Sequence, residues 1–196
     1  MGNVAIYKTN WEKEEFSLYK KIFNQKKSIS DMDINLDLNI FATSSIEGNV
    51  NLFTWPLCKL FRVIKAPTKI GSSNNIDKCT NIFLVESTLA SIIIIIERKN
   101  IMEIMSYSIN GEFLLNVKEN KNISNIIKFK NLNSYEYLAL FIGDEMKIFN
   151  LPSLSVHLKI ALQNNSIDFK FIAINADLNS IFGINDNGTQ IQVIQS

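Results

Sequence analysis

Ile34-Asn35-Leu36-Asp37-Leu38-Asn39 returns near the other end of the chain as Ile174-Asn175-Ala176-Asp177-Leu178-Asn179. In both copies a glycine follows about nine residues later, at Gly48 and Gly188. An apolar run that stops at an Asp/Asn cluster, resumes, and reaches a glycine is the pattern of a strand, a tight turn, a second strand and a hairpin. The two copies lie ~140 residues apart. Between them, Leu52-Phe53-Thr54-Trp55-Pro56 matches Ile148-Phe149-Asn150-Leu151-Pro152 at an offset of ~96, and Ile148-Phe149 matches Gln192-Val193 at ~44. A unit of about 44 to 48 residues accounts for all three offsets.

That unit is close to the length at which one four-stranded propeller blade recurs. Short β-branched and aromatic runs, separated by Asn, Asp, Gly and Ser clusters about every ten residues, favour strands over βαβ units. The expected fold is therefore all-β, a partial β-propeller of about four four-stranded WD-like blades. Cut at the repeat, the chain gives the end of a preceding blade at 1–26 and blades at 29–65, 76–119 and 123–162. A last blade at 167–196 lacks its outer strand. Strands are expected at 29–35, 40–44, 50–54 and 59–64 in the first full unit. In the second they are expected at 83–85 and 92–97, with an edge segment at 104–115. The last unit stops after its third strand, 190–194. One segment has helical spacing instead: Asn10 as cap, Glu12, Glu14 and Glu15 in a first turn, and Phe16, Tyr19 and Phe23 on one face.

Composition excludes several function classes. A chain of 196 residues, 46% apolar and 20% charged, can bury a substantial core and is too apolar for intrinsic disorder. Twenty basic residues against nineteen acidic ones leave a net charge of +1. No global field draws in nucleic acid, an anionic membrane or an acidic substrate. The 31 Ile and 25 Asn are conspicuous, but with Lys they share A/T-rich codons and point to genome composition rather than to function. The run Ile92 to Ile96 spans only about 17 Å as a strand, short of the roughly 20 apolar residues of a spanning helix. It reads as a buried strand.

Candidate chemistry is sparse. Cys58 and Cys79 are isolated, and His157 is the sole imidazole, too few for a Cys/His zinc site within the chain. His157 lies in an alternating segment and reads as a strand residue facing solvent or half buried. The two thiols leave a disulfide open, although two cysteines without a signal sequence fit a reducing, cytoplasmic setting better. Asp31 with Asp33, or Asp144 with Glu145, are the carboxylate pairs that a propeller-based hydrolase would use. Turns and strand ends favour solvated carboxylates there. Lys20, Lys21, Lys26 and Lys27 with Tyr19 and Phe23 form a weak nucleic-acid candidate, more in keeping with a solvated face. The expected catalytic, cofactor and metal sites are accordingly none. Trp11 and Trp55 are the candidate interaction residues, Trp11 either as an exposed anchor or tucked against an outer strand.

Ser106-Tyr107-Ser108-Ile109-Asn110-Gly111-Glu112-Phe113-Leu114-Leu115, following the Ile92 to Ile96 run, resembles the C-terminal WD-repeat propeller of BEACH-domain proteins, the neurobeachin and beige-like family. A similar strand there leads to a Ser-Ile-Asn-Gly-Lys-Leu-Leu segment. Asp37 to Gly48 is similar to that family's Leu-Asp-Ile-Val-Ile-Ser-Gly-Ser-x-Glu-Gly strand and turn, and Tyr135 to Leu138 with Met146 to Phe149 is similar to the next blade. The resemblance covers about 29–196. It implies a non-catalytic protein-interaction scaffold acting in vesicle or membrane-protein trafficking, cytoplasmic, and peripheral to intracellular membranes only through a parent protein. The implied partners are other proteins and, in a longer parent, its BEACH and PH-like domains. An unrelated WD-repeat adaptor is the alternative. The usual Gly-His and Trp-Asp signatures are missing: Trp55 precedes Pro56 and Phe149 precedes Asn150. Their hydrogen-bond network cannot form, so blade stability is expected to rest on Ile, Phe, Leu and Val packing. The family closes a ring of about seven blades, so this chain is expected to be the C-terminal portion of a longer one, unless its ends pair into a small ring.

Overall fold

The computed structural model describes residues 2–25, 27–67, 77–120, 122–131, 133–161, 169–174, 180–185 and 191–195. All regular structure among them is antiparallel strand, in five sheets of consecutive strands. A two-stranded hairpin, β1 (Gly2–Asn10) and β2 (Glu15–Gln25), comes first. The next sheet holds β3 (Ile29–Asn35), β4 (Ile40–Ser45), β5 (Asn49–Thr54) and β6 (Leu60–Lys65). The third holds β7 (Lys78–Val85), β8 (Ser91–Glu97), β9 (Ile101–Ser108) and β10 (Phe113–Asn120). The fourth holds β11 (Ile123–Lys130), β12 (Glu136–Ile142), β13 (Glu145–Asn150) and β14 (Val156–Ala161). β15 (Phe169–Ile174), β16 (Ser180–Asn185) and β17 (Ile191–Gln195) form the last. The chain is all-β and partly propeller-like, a series of blade-like sheets.

Period-two alternation sends side chains to opposite faces of each strand, and here both faces of the middle sheets are apolar. Ile92, Ile94 and Ile96 of β8 pack with Ala42, Leu52 and Ile64 of the preceding sheet. Ile93 and Ile95 pack with Leu138, Leu140 and Phe149 of the following one. All five isoleucines are fully buried, each contributing about 1.5–3 kcal/mol of apolar transfer free energy. The strand expected from the Ile run is thus a shared core between two neighbours. Near the other end of the β7–β10 sheet Arg98 ties Asp77 to Glu103, which also accepts Asn116 Nδ2 at 2.6 Å.

Equivalent positions repeat in detail. The first strand of each four-stranded sheet carries a register shift, between Ile29 and Asp31, Cys79 and Asn81, and Ile123 and Asn125. The skipped residue is a hydroxyl each time. Ser30 Oγ bonds Ser44 Oγ at 2.9 Å, Thr80 Oγ1 donates to Ile95 O at 3.4 Å and Ser124 Oγ to Phe141 O at 3.4 Å. The two Pro loops matched in the sequence also share a conformation. Both prolines are cis, Cys58 and Leu154 have positive φ, and their amides donate back to Thr54 O and Asn150 O.

Two expectations are corrected. The segment from Asn10 is no helix: Asn10 Oδ1 caps a four-residue turn by accepting from Glu12 N, and Phe16, Tyr19 and Phe23 lie on β2. Ile22 on that strand reaches the core beside Phe41 and Phe53, which a strand achieves and a free helix would not. The single edge segment at 104–115 is two strands, β9 and β10, because Gly111 at φ +90° turns the chain between them. The strands expected in the first full unit lie within a residue of β3 to β6. The turn copy 175–179 and Gly188 lie outside the described residues.

Candidate functional site

The first strands of the second and third sheets, β3 and β7, lie side by side. A first strand has an edge whose amides and carbonyls the sheet itself leaves open. Charged side chains from both neighbours occupy the edge of β7. Asp31 Oδ2 accepts Ile82 N at 2.8 Å, and Asp33 Oδ2 accepts Leu84 N at 2.7 Å. From the other side Lys128 Nζ on β11 donates to Leu84 O at 2.6 Å and lies 3.5 Å from Asp33 Oδ2. Glu136 Oε2 at the start of β12 accepts Glu86 N at 2.5 Å. The result is a polar seam across three sheets.

Electrostatics follow from burial. Desolvation pushes the Asp31 carboxyl above its ordinary value, partly opposed by the amides of Ile82 and Met32, with Asp33 raising it further. Glu136, buried between sheets, is also raised, chiefly by burial and against the Glu86 amide and Lys128. Its Oε1 accepts no hydrogen bond, the nearest cation being Lys128 Nζ at 3.8 Å. Lys130, hydrogen-bonded to Glu86 at 2.6 Å, is raised, and that contact lowers Glu86 in turn.

These positions revise the reading of the carboxylates. Asp31 and Asp33 are not solvated: each is half buried and bound to backbone amides of another sheet, and Asp33 also lines the cleft beside Trp55. Asp33 Oδ1 also accepts Ile34 N at 2.9 Å, so one carboxylate serves two strands. Asp144 is exposed in the hairpin turn after Gly143. Blade cohesion therefore rests on carboxylate-to-amide bonds as well as apolar packing. Nothing in the sequence marked this beyond the i, i+2 spacing of Asp31 and Asp33, which places both on one side of β3.

The remaining candidates scatter. Trp55 is half buried, edge-on to Phe41 at 6.3 Å, and lines a cleft of about 290 Å³ with Val4, Ile6, Met32 and Ile34. Trp11 is 82% exposed at the hairpin turn and not tucked against a strand. His157 is exposed on β14, its ring 5.0 Å from that of Tyr137. Cys58 and Cys79 are separate buried thiols; burial pushes Cys79 up to about 11, and Cys58 Sγ contacts Pro56 O. Of the lysine candidates, Lys20 Nζ donates to Leu57 O at 2.7 Å and Lys27 pairs with Glu47 at 3.0 Å; Lys26 lies outside the described residues. Among the described residues no group of three His, Cys, Asp or Glu side chains is arranged to hold a metal, and no helix is long and apolar enough to cross a membrane. No protein-family model matches the chain, and neither does any curated protein.

Proposed function

We propose that this chain is a non-catalytic protein-interaction module, the WD-repeat propeller portion of a BEACH-type scaffold that acts in vesicle or membrane-protein trafficking. The observation that carries the reading is the seam, in which Asp31, Asp33, Lys128 and Glu136 cross-brace three sheets. Braced sheets hold their connecting loops in fixed relation, the property a multivalent platform requires. The charged groups best suited to acid/base work serve backbone atoms instead. The Ser106 to Gly111 segment, on which the family resemblance rests, is the end of β9 and its turn toward β10, with Gly111 N donating to Ser108 O at 2.9 Å. That geometry fits a loop-presenting blade. The platform role is carried over to this chain by fold-level analogy with propellers. Its partners are other proteins, and its place is cytoplasmic, reaching membranes through the parent protein.

The test is affinity capture from cell extract with a BEACH-containing parent, with and without this region. Deletion is expected to remove a subset of captured proteins while those bound by the BEACH module stay. An unchanged set of partners would refute the proposal, and a hydrolytic activity of the chain that disappears in Asp33→Asn would favour a propeller enzyme instead.

A further inference from the structure

The β1–β2 hairpin has two halves. Toward its base Val4, Ile6 and Ile22 join Phe41, Phe53 and Trp55 in a core cluster, and Lys20 reaches Leu57 O. From Tyr7 to Leu18 the hairpin stands clear of the sheets, with every residue exposed. A two-stranded ribbon is marginal in water without further packing. This arm is also amphipathic. The pairs Tyr7 with Leu18 and Thr9 with Phe16 share one face, since cross-strand partners point the same way. The pairs Lys8 with Ser17 and Asn10 with Glu15 share the other. On the apolar face Tyr7 is 57% exposed, Phe16 70% and Leu18 48%.

We propose that this apolar face is a self-association surface, and that its occupant is the same face of a second copy of the chain, packed antiparallel about a two-fold axis. Charge complementarity identifies the occupant. The turn carries Glu12 and Glu14 against Lys13, an acidic end. The base carries Lys21, exposed and paired with Ala5, a basic end. Antiparallel stacking of two such arms sets each acidic turn beside the other's lysine, as a closed isologous contact requires. A parallel arrangement would oppose like charges. A lipid surface fits less well, because the carboxylates beside Trp11 would enter the interface first. Tyr7 and Phe16 at roughly 150 Å² each, with Leu18, bring the buried area over two copies to about 800 Å². That is below the standard size of stable interfaces, so the dimer is weak and concentration-dependent.

Sedimentation velocity of the full chain across a wide concentration range tests it. A monomer–dimer equilibrium is expected, weakened by added salt and weakened roughly tenfold or more by Phe16→Lys. Lys21→Glu alone, and Glu12→Lys with Glu14→Lys, are each expected to weaken self-association, whereas a mixture of the two restores a heterodimer. Circular dichroism and the unfolding midpoint of each variant should match the parent, since all four positions are exposed. A monomer at every concentration, a dimer indifferent to Phe16→Lys, or a charge-reversed mixture no tighter than its components would overturn the proposal. So would a chain that stays monomeric but cosediments with anionic phosphatidylserine vesicles in a Phe16-dependent way.

Discussion

Asp33 is a carboxylate with four neighbours: the amides of Ile34 and Leu84, one on each oxygen, and the Lys128 ammonium beside the second, with Asp31 two residues away on the same side of β3. In Asp33→Asn the amide keeps one acceptor but turns an NH₂ toward a second N–H, so a half-buried donor loses its partner. The expected cost is about 1–3 kcal/mol of unfolding free energy by urea titration. A variant as stable as the parent would remove the seam from the account of cohesion. Glu136 makes a prediction of the opposite kind. Burial raises its carboxyl above the ordinary 4.5. The native state therefore holds that proton more tightly than the unfolded chain, and the stabilisation is complete below the unfolded pKa and lost as pH rises through the native one. Asp31, raised for the same leading reason, acts in the same direction. The stability of the parent relative to Glu136→Gln should fall as pH is raised from about 4 to about 7, and a pH-independent difference would contradict this assignment.

At the scale of elements, the hairpin depends on its first glycine. A Cβ on Gly2 would stand 2.6 Å from Lys27 O and 2.6 Å from Ile29 Cγ1, and the first is backbone that cannot swing aside. Gly2→Ala should therefore lift the hairpin base and open the cleft beside Trp55. In a Trp11→Phe background, acrylamide quenching of the remaining Trp55 fluorescence is expected to rise, as is hairpin proteolysis. Quenching equal to that of the same background with Gly2 intact would mean that the base relaxes elsewhere. Much of this level was legible in the sequence. The Ile92 to Ile96 run, the Pro56 and Pro152 loops and the Gly48 hairpin mark strands and turns through local rules that tertiary packing does not override. Two readings failed, each in its own way. At Glu12 to Phe23 the spacing of apolar residues was compatible with more than one periodicity, and only long-range pairing decided it; at 104–115 the turn at Asn110-Gly111 was passed over inside a single edge segment. The seam was illegible for a different reason. Asp31 and Asp33 look like any turn-prone acids until the fold brings the amides of Ile82 and Leu84, fifty residues on, to meet them.

For the whole molecule, each sheet contacts chiefly its neighbours, so stability is distributed as in a one-dimensional array. The β7–β10 sheet is covered on both faces by four-stranded partners. Its amides should exchange most slowly with deuterium, with protection falling toward the β1–β2 hairpin, whose outer arm is exposed. Ile82 and Leu84 sharpen this expectation: although they lie on a sheet edge, their amides should be protected like interior ones, and Asp31→Asn with Asp33→Asn should release them. Fast exchange at both positions in the parent would show that the edge is open in solution. The same closed edge bears on a hazard written into the chain. Five consecutive isoleucines, uncharged and without proline, have the composition of a fibril-forming segment. They are harmless where they lie because β7 shields one side of β8 and β9 the other, and because carboxylates rather than a foreign strand occupy the hydrogen-bonding rim of β7. The aspartates thus act as gatekeepers, keeping an amyloid-competent sequence out of reach of other chains without placing a charge within it.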